Sequence, residues 1–357
     1  MEKKQSVTFN DIARFTGFSK TTISRYFNKP DSLTAENQKT ISDALIKLNY
    51  QENKVARILA NGKTEFIGII IPNLYLHYYS EILNRILLSY EKYGYKFLVF
   101  LGNNDEKTER RYIQELLAYK IEGLIVLSHT IPSRELADLH IPVVAIERED
   151  QFISSVNTDN YSGSLQAMEL LDMHHCDVMI HINTPTRKST PAYGRIRGFQ
   201  DYCQKHSFPS EMFVQDLGNN YEETQAKLQD VLSVIEEKYS FQKKGIFVSN
   251  DTYANILLNL LIRKHGCLPE DYYIVGFDNS PVSRQAVFPI STIGQQIDHI
   301  AQEAMKILVE QIDSRKKAVS AFLPEPVHKT VKPVLFRRET TEKNLSGAFD
   351  PDIIYSI

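Results

Sequence analysis

The chain has few of the residues that usually announce metal chemistry, a membrane or catalysis. Its three cysteines, Cys176, Cys203 and Cys267, are far apart and odd in number, which argues against both a disulfide framework and a zinc site. His174-His175-Cys176 looks at first like a metal cluster, but adjacent residues on a helix do not share a face, so no metal site is expected and no cofactor is called for. No apolar run approaches the length of about 18 residues that a spanning helix needs, and no cleavable leader is visible. A cytoplasmic protein with no membrane partner is therefore expected. The 15 glycines build no GxGxxG turn after a strand, no Walker loop and no GxSxG elbow, and no HExxH helix occurs. Tyr193-Gly-Arg-Ile-Arg-Gly198 lacks the spacing of a phosphate cradle, and the pairs Glu222-Glu223 and Glu236-Glu237 fall on solvated helix faces. Nothing brings a nucleophile, a base and an oxyanion site together, so the chain is not expected to be an enzyme. Tandem repeats and low-complexity linkers are absent too.

What is present fits a protein of two or three domains: 357 residues, 42% apolar and 24% charged. The net charge is only −3, yet it is unevenly spread. Residues 1–62 hold ten Lys and Arg against six Asp and Glu, whereas the remainder hold 31 against 38. A basic N-terminal module on an acidic body is the footprint of a chain whose first part meets phosphate.

That first part, from Val7 to Asn28, reads as two short helices joined by a tight turn. Thr8 is placed to cap the first, with Asp11 three residues on able to reach back. Gly17 sits where the chain must turn sharply, with φ > 0 expected. Ser19 caps the second helix, on which Ile23 and Phe27 share one face and can pack against Ile12 and the small Ala13. The other side carries Lys20, Thr21, Ser24, Arg25 and Asn28: polar, donor-rich and without a carboxylate, as suits a helix in the DNA major groove. Alone, this would also fit an ordinary helical hairpin. Thr34 then caps a third helix to about Asn49, with Ile41, Ala44, Leu45 and Leu48 closing a three-helix core.

Beyond Gly62, apolar strands too short to be helices alternate with amphipathic helices. Strands are expected at 66–71, 96–101, 123–127, 142–146, 177–182, 245–249 and 273–277. Helices are expected at 77–93, 107–119, 161–172, 195–206, 221–239, 253–265 and 296–312. The alternation argues for parallel sheets covered on both faces.

With Asp11-Ile-Ala, Gly17-Phe-Ser-Lys-Thr-Thr-Ile-Ser-Arg25, Leu48-Asn-Tyr50 and Asn53-Lys-Val-Ala-Arg-Ile-Leu-Ala60 in this order and ahead of a long α/β body, the sequence resembles the lactose-repressor family of bacterial transcription regulators, from Val7 to about Thr341. The resemblance implies a small all-α helix-turn-helix DNA-binding domain (1–52), a hinge helix and linker (53–63), an α/β two-lobed periplasmic-binding-protein-like core with parallel sheets (64–341), and a tail (342–357). Within the core, the first lobe would hold about 64–160 and 293–323, the second about 161–292 and 324–341.

The resemblance also implies where ligands sit. DNA contact falls to Thr8, Ser19, Lys20, Thr21, Thr22, Ser24, Arg25 and Asn28, and to Asn53, Ala56 and Leu59 of a hinge helix too short to be stable without DNA. Leu59 is the expected wedge in the minor groove. Effector contact falls to residues at the carboxyl ends of strands, where open α/β sheets collect ligands: Tyr75, His77, Tyr78, Glu147, Arg148, Arg195, Asn250, Asp278 and Gln295. Carboxylates, amides and a guanidinium suit polyol hydroxyls, each of which donates and accepts, and Tyr75 or Tyr78 can cover an apolar sugar face. Asn250 and Asp278 can also be read as caps of the next element, and Asp251 reads better as a first-turn acid than as a ligand contact.

Three departures from the family pattern stand out. Glu52 replaces a proline common before the hinge. Met173-His-His-Cys-Asp177 replaces a Gly-His turn. Arg187-Lys188 adds positive charge near the cleft mouth, as for an acidic or phosphorylated sugar, although a solvated loop is the simpler reading. The function implied is a homodimeric repressor of carbohydrate uptake or use, bound to a pseudo-palindromic operator and controlled by a small sugar-like effector. No leucine-heptad stretch follows residue 341, which favours a dimer over a tetramer. The alternatives are a corepressor-dependent global regulator and, from another class, a sugar-binding or sugar-modifying protein with a fused helical domain.

Overall fold

The computed structural model describes residues 7–51, 64–317 and 325–343. The hinge residues Asn53, Ala56 and Leu59 lie outside the described residues. The chain divides into two compact units, residues 1–63 and 64–357.

The first unit holds α1 (Phe9–Thr16), α2 (Lys20–Asn28), a 3-10 turn at Pro30–Ser32 and α3 (Ala35–Lys47). Its local signals act as the sequence suggests. The Asp11 carboxylate accepts the Thr8 amide at 2.9 Å and the Thr8 hydroxyl at 2.7 Å. Gly17 ends α1 at φ +75°, Ser19 accepts the Thr22 amide at 3.1 Å, and Thr34 accepts that of Asn37 at 3.3 Å. Ile12, Ile23, Ile41 and Ala44 form the buried centre. Phe9 and Phe27 stack beside it with ring centroids 5.1 Å apart, a contact that helical spacing alone does not reveal.

The second unit starts with β1 (Phe66–Ile71), α4 (His77–Leu88), α5 (Tyr90–Tyr93), β2 (Lys96–Leu101), α6 (Glu106–Ala118), β3 (Gly123–Leu127), α7 (Ser133–Ala137), β4 (Val143–Ile146) and β5 (Ser154–Thr158). The second lobe follows: α8 (Asn160–Met173), β6 (Val178–Asn183), α9 (Tyr193–His206), β7 (Ser210–Val214), α10 (Tyr221–Lys238), β8 (Lys244–Val248), α11 (Asp251–His265), β9 (Tyr272–Asp278), α12 (Pro281–Gln285) and β10 (Ser291–Gly294). Then α13 (Ile297–Lys317) packs back on the first lobe, β11 (His328–Val331) joins its sheet, and β12 (Val334–Phe336) joins the second.

The strand orders are β11-β5-β4-β3-β1-β2 and β12-β10-β9-β8-β6-β7. All pairs are parallel except β10 with β12. Both faces of each sheet are covered, which is why the central strands are apolar on both sides. Ile67, Ile69 and Ile71 face α4 and α13, while Ile70 faces the cluster built with α6. Each such side chain stabilises the fold by ~1.5–3 kcal/mol. Gly68 lies so close to Leu116 and Ile121 that a Cβ would come within 2.9 Å of both.

The chain passes between lobes three times, and two passages fall elsewhere than expected. The second comes after Gly294 rather than at 292, because β10 pairs with β9; the third lies between Val331 and Val334 rather than at 323, because β11 pairs with β5. The tail expected from 342 begins as ordered chain: Glu342 accepts from Arg337 at 2.7 Å, and the Lys343 ammonium donates to Pro269 and Glu270 carbonyls. Strands β5, β10 and β11 lack the apolar runs that mark the others, and in β7 and β12 the run is only three residues long. β5 is held by polar partners instead, with Ser154 Oγ accepting from Gln311 at 2.7 Å and Ser155 Oγ 2.9 Å from His328 Nδ1.

Candidate DNA-reading face and interlobe cleft

In the N-terminal unit the expected DNA residues divide into two groups. Some hydroxyls and amides are engaged within the module: Thr8 with Asp11, Ser19 with Thr22 at 2.8 Å, and the Asn28 amide on the Ser24 carbonyl at 3.0 Å. Lys20, Thr21 and Arg25 are exposed, and their side chains make no hydrogen bond or ion pair among the described residues. Three unengaged donors on one helix face, with no carboxylate on that helix, can reach base edges or phosphates.

Between the two lobes lies a cleft of about 420 Å³, within the usual range for a small-molecule site. The carboxyl ends of the strands build it from both sides. Tyr75 and Tyr78 follow β1, and Glu147 and Arg148 follow β4. Facing them are Arg195 from the first turn of α9, Asn250 after β8, Asp278 closing β9, and Gln295 after β10. Eight of the nine expected effector residues therefore meet in one cavity. His77 does not. Its backbone amide and Nδ1 lie 3.3 and 3.0 Å from the Thr252 hydroxyl of the other lobe, so it ties the lobes together outside the cleft lining. Burial lowers its pKa, which keeps the ring neutral.

Most polar groups in the cleft are positioned by neighbours. Arg195 donates to Asn160 Oδ1 at 2.7 Å and to the Ser249 carbonyl at 2.6 Å, and its guanidinium lies 3.8 Å above the Phe277 ring. Arg148 donates to the carbonyls of His129, Glu147 and Ser128 at 2.9, 2.7 and 3.1 Å. Gln295 donates to Asp278 Oδ1 at 2.7 Å and accepts from Thr158 at 2.5 Å, linking the cleft to two interlobe passages. Asn250 caps α11, accepting the Tyr253 amide at 2.9 Å, and also lines the cleft. Asp251 stays out of the cavity, as a first-turn acid should.

Other atoms complete no hydrogen bond among the described residues: the buried Tyr78 hydroxyl, Glu147 Oε1 and Ser249 Oγ. The Tyr78 hydroxyl and the Thr158 backbone are near enough to help hold the Glu147 charge, but neither the Tyr78 hydroxyl nor Glu147 Oε1 completes a well-formed hydrogen bond among the described residues. Burial pushes the carboxyls of both Glu147 and Asp278 above the ordinary range, with Arg195 opposing in each case. Asp278 also has φ +112°, a conformation that costs ~1–3 kcal/mol for a residue with a side chain.

Sequence reasoning missed Asn104, Ser128, Asn183 and Asp216, which line the cleft after β2, β3, β6 and β7. Applying the strand-end rule to every strand would have found them. Arg187 also lines the mouth, whereas Lys188 lies along a neighbouring groove. Among the described residues no His, Cys, Asp or Glu cluster could hold a metal, and no helix is long and apolar enough to cross a membrane.

A three-helix DNA-reading module in one chain with a two-lobed, cleft-bearing α/β core defines a ligand-responsive transcription regulator. Comparison with known proteins agrees. Residues 8–53 match the family described as bacterial regulatory proteins, lacI family; residues 64–234 match the periplasmic binding proteins and sugar binding domain of the LacI family; and 167–332 match a periplasmic binding protein-like domain. The chain belongs to the LacI family. A ribose operon repressor of Halalkalibacterium halodurans is 29% identical over 340 residues, covering 94% of this chain and 97% of that one. A sucrose operon repressor of Pediococcus pentosaceus is 26% identical, covering 89% and 96%. Among solved structures, the Lac repressor dimer bound to operator and the anti-inducer ONPF shares the fold, with a TM-score of 0.78 at 21% identity and coverage of 94% and 99%.

Proposed function

We propose that this regulator represses genes of carbohydrate uptake or use, binding a pseudo-palindromic operator as a homodimer, and that a neutral sugar in the interlobe cleft changes its operator affinity. It regulates transcription and catalyses nothing, and it works in the cytoplasm, where the DNA is. The observation that carries the sugar reading is the set of buried atoms from both lobes, the Tyr78 hydroxyl, Glu147 Oε1 and Ser249 Oγ, that complete no hydrogen bond among the described residues. Each such group left unsatisfied costs ~1–3 kcal/mol, and a polyol offers donors and acceptors on several sides at once. Neutrality follows from the cations: Arg148 and Arg195 are already engaged on carbonyls, an amide oxygen and a ring. Arg187 supports one second reading, a phosphorylated sugar, because it lines the mouth with its guanidinium unengaged among the described residues.

On DNA, Lys20 and Thr21 read base edges and Arg25 reads a base or anchors a phosphate, with a lost base contact costing ~1–3 kcal/mol. A dimer presents two such helices about one helical turn apart, ~34 Å. Sugar acts on DNA only through its different affinity for the two lobe arrangements, and typical couplings of ~1–3 kcal/mol give roughly 5- to 150-fold changes in operator affinity. The test begins with an operator selected by the full-length chain from random duplexes, then titrated with and without sugars and sugar phosphates. Arg195→Ala should lose the response while keeping sugar-free operator affinity. A variant that responds with the wild-type midpoint would remove the cleft from the mechanism.

A further inference from the structure

We infer that Arg338 and Asp251 are positioning residues for the cleft: from behind it, they pin the turn Asp278–Asn279–Ser280 so that a strained Asp278 keeps its carboxylate at the ligand. The inference rests on the reading of the cleft as the effector site. Asp278 and Asn279 are consecutive non-glycine residues at φ +112° and +54°, turning the chain sharply out of β9. Such a turn persists only where its surroundings over-determine it.

Two buried ionisable side chains do so here, and neither lines the cleft. On one side, Asp251 Oδ2 accepts the Ser280 amide at 2.7 Å and the Ser280 hydroxyl at 3.2 Å. Its Oδ1 accepts the Thr292 hydroxyl at 2.6 Å, and that same hydroxyl oxygen accepts the Asn279 amide at 3.3 Å. On the other side, Arg338 Nη2 donates to Asn279 Oδ1 at 2.6 Å. Its Nη1 donates to Ser283 Oγ at 3.1 Å and to the Ile290 carbonyl at 2.9 Å. Two glycines make room: a Cβ at Gly276 would overlap Asp251 Oδ1, and one at Gly294 would overlap the Phe336 ring and lie 3.0 Å from Asn279 Cβ. An arginine and an aspartate buried away from both solvent and ligand are costly to retain. Their converging on one strained turn gives them a task, and Gln295 carries the position of that turn on to Thr158.

Amide hydrogen exchange on the full-length chain, read by mass spectrometry, tests the clamp. Arg338→Lys and Asn279→Ala should each speed exchange across 278–284 by about tenfold or more, while peptides of β8 and of the first-lobe sheet exchange as in wild type. The double variant should be no faster than Asn279→Ala alone. Asn279→Asp, which keeps an acceptor for Nη2, should stay protected. Unchanged exchange across 278–284 overturns the inference. So does equal acceleration throughout the second lobe, which would make Arg338 a general support. Should Arg338→Lys fail to fold, the contrast between Asn279→Ala and Asn279→Asp decides. D-ribose and sucrose, titrated as probes, address the cleft separately: failure of wild type to bind either counts against those sugars, while the exchange result still decides the clamp.

Discussion

Asp278 gathers features that residues of purely structural value avoid: a buried carboxyl pushed toward its neutral form, a left-handed backbone and a place on a cavity wall. Replacing it with glycine relieves strain of ~1–3 kcal/mol and removes a desolvated carboxyl group. Against this stand the lost bond from Gln295, ~0.5–1.5 kcal/mol, and the extra chain entropy of glycine, ~0.5–1 kcal/mol. Asp278→Gly is thus expected to melt at a higher temperature than wild type and yet to show no sugar response in operator titrations. A lower melting temperature would mean that the turn is not strained. The neighbouring residues mark how far sequence reasoning reaches. Asp251 is legible as a first-turn acid, but its partners Ser280 and Thr292 lie 29 and 41 positions away and belong to other elements. His77 reads as a ligand contact from its place after a strand, and only the approach of α11 from the other lobe turns it to Thr252.

Elements form where local signals agree. At the α1–α2 turn, Gly17 has φ +75° and nothing within 4 Å of where a Cβ would stand, so a substitution there meets backbone strain alone. Gly17→Ala should destabilise the N-terminal unit by ~1–2 kcal/mol, a fall of several degrees in its melting midpoint, and leave the midpoint of the second unit unchanged. Calorimetry of the full-length chain checks this; a shift in both transitions would show that the units do not melt separately. Helix caps and apolar strands were readable for the same reason, since both depend on neighbours within a few residues. The polar strand β5 was not. Its Ser154, Ser155 and Asn157 are buried because Gln311, His328 and Glu149 meet their polar atoms, two of these from beyond residue 300.

The stability of the whole molecule should carry the mark of its buried acids. Burial pushes Asp251 up to about 7, and Glu147 and Asp278 shift the same way. Between the ordinary carboxylate value and about 7 the folded state holds a proton on Asp251 that the unfolded chain releases. The stabilisation is therefore complete at low pH and declines as pH rises, by roughly 1.4 kcal/mol per pH unit for one proton. His129 and His181, kept neutral down to about 4 by burial, act in the opposite sense, so the comparison must be with Asp251→Asn. Denaturant unfolding of the two proteins should show wild type losing ground to the variant from about pH 4 to about pH 7. A difference independent of pH would mean that Asp251 ionises normally.

The residues alone were enough for the module order, the helix-turn-helix, the parallel α/β core and most of the cleft's strand-end residues. The helices and the apolar strands follow from periodicity, caps and spacing, which act over a few residues, while the module order and the cleft residues follow from the resemblance to the lactose-repressor family. The tertiary structure decided which sheet β10 and β11 join, that His77 bridges the lobes, and that Arg338 sits behind the cleft. Those depend on contacts between separate elements, from Ser291 with Val275 at a separation of 16 to Arg338 with Asn279 at 59 and His77 with Thr252 at 175. No local pattern encodes such contacts, because they exist only once the two sheets have formed and the chain has crossed between them.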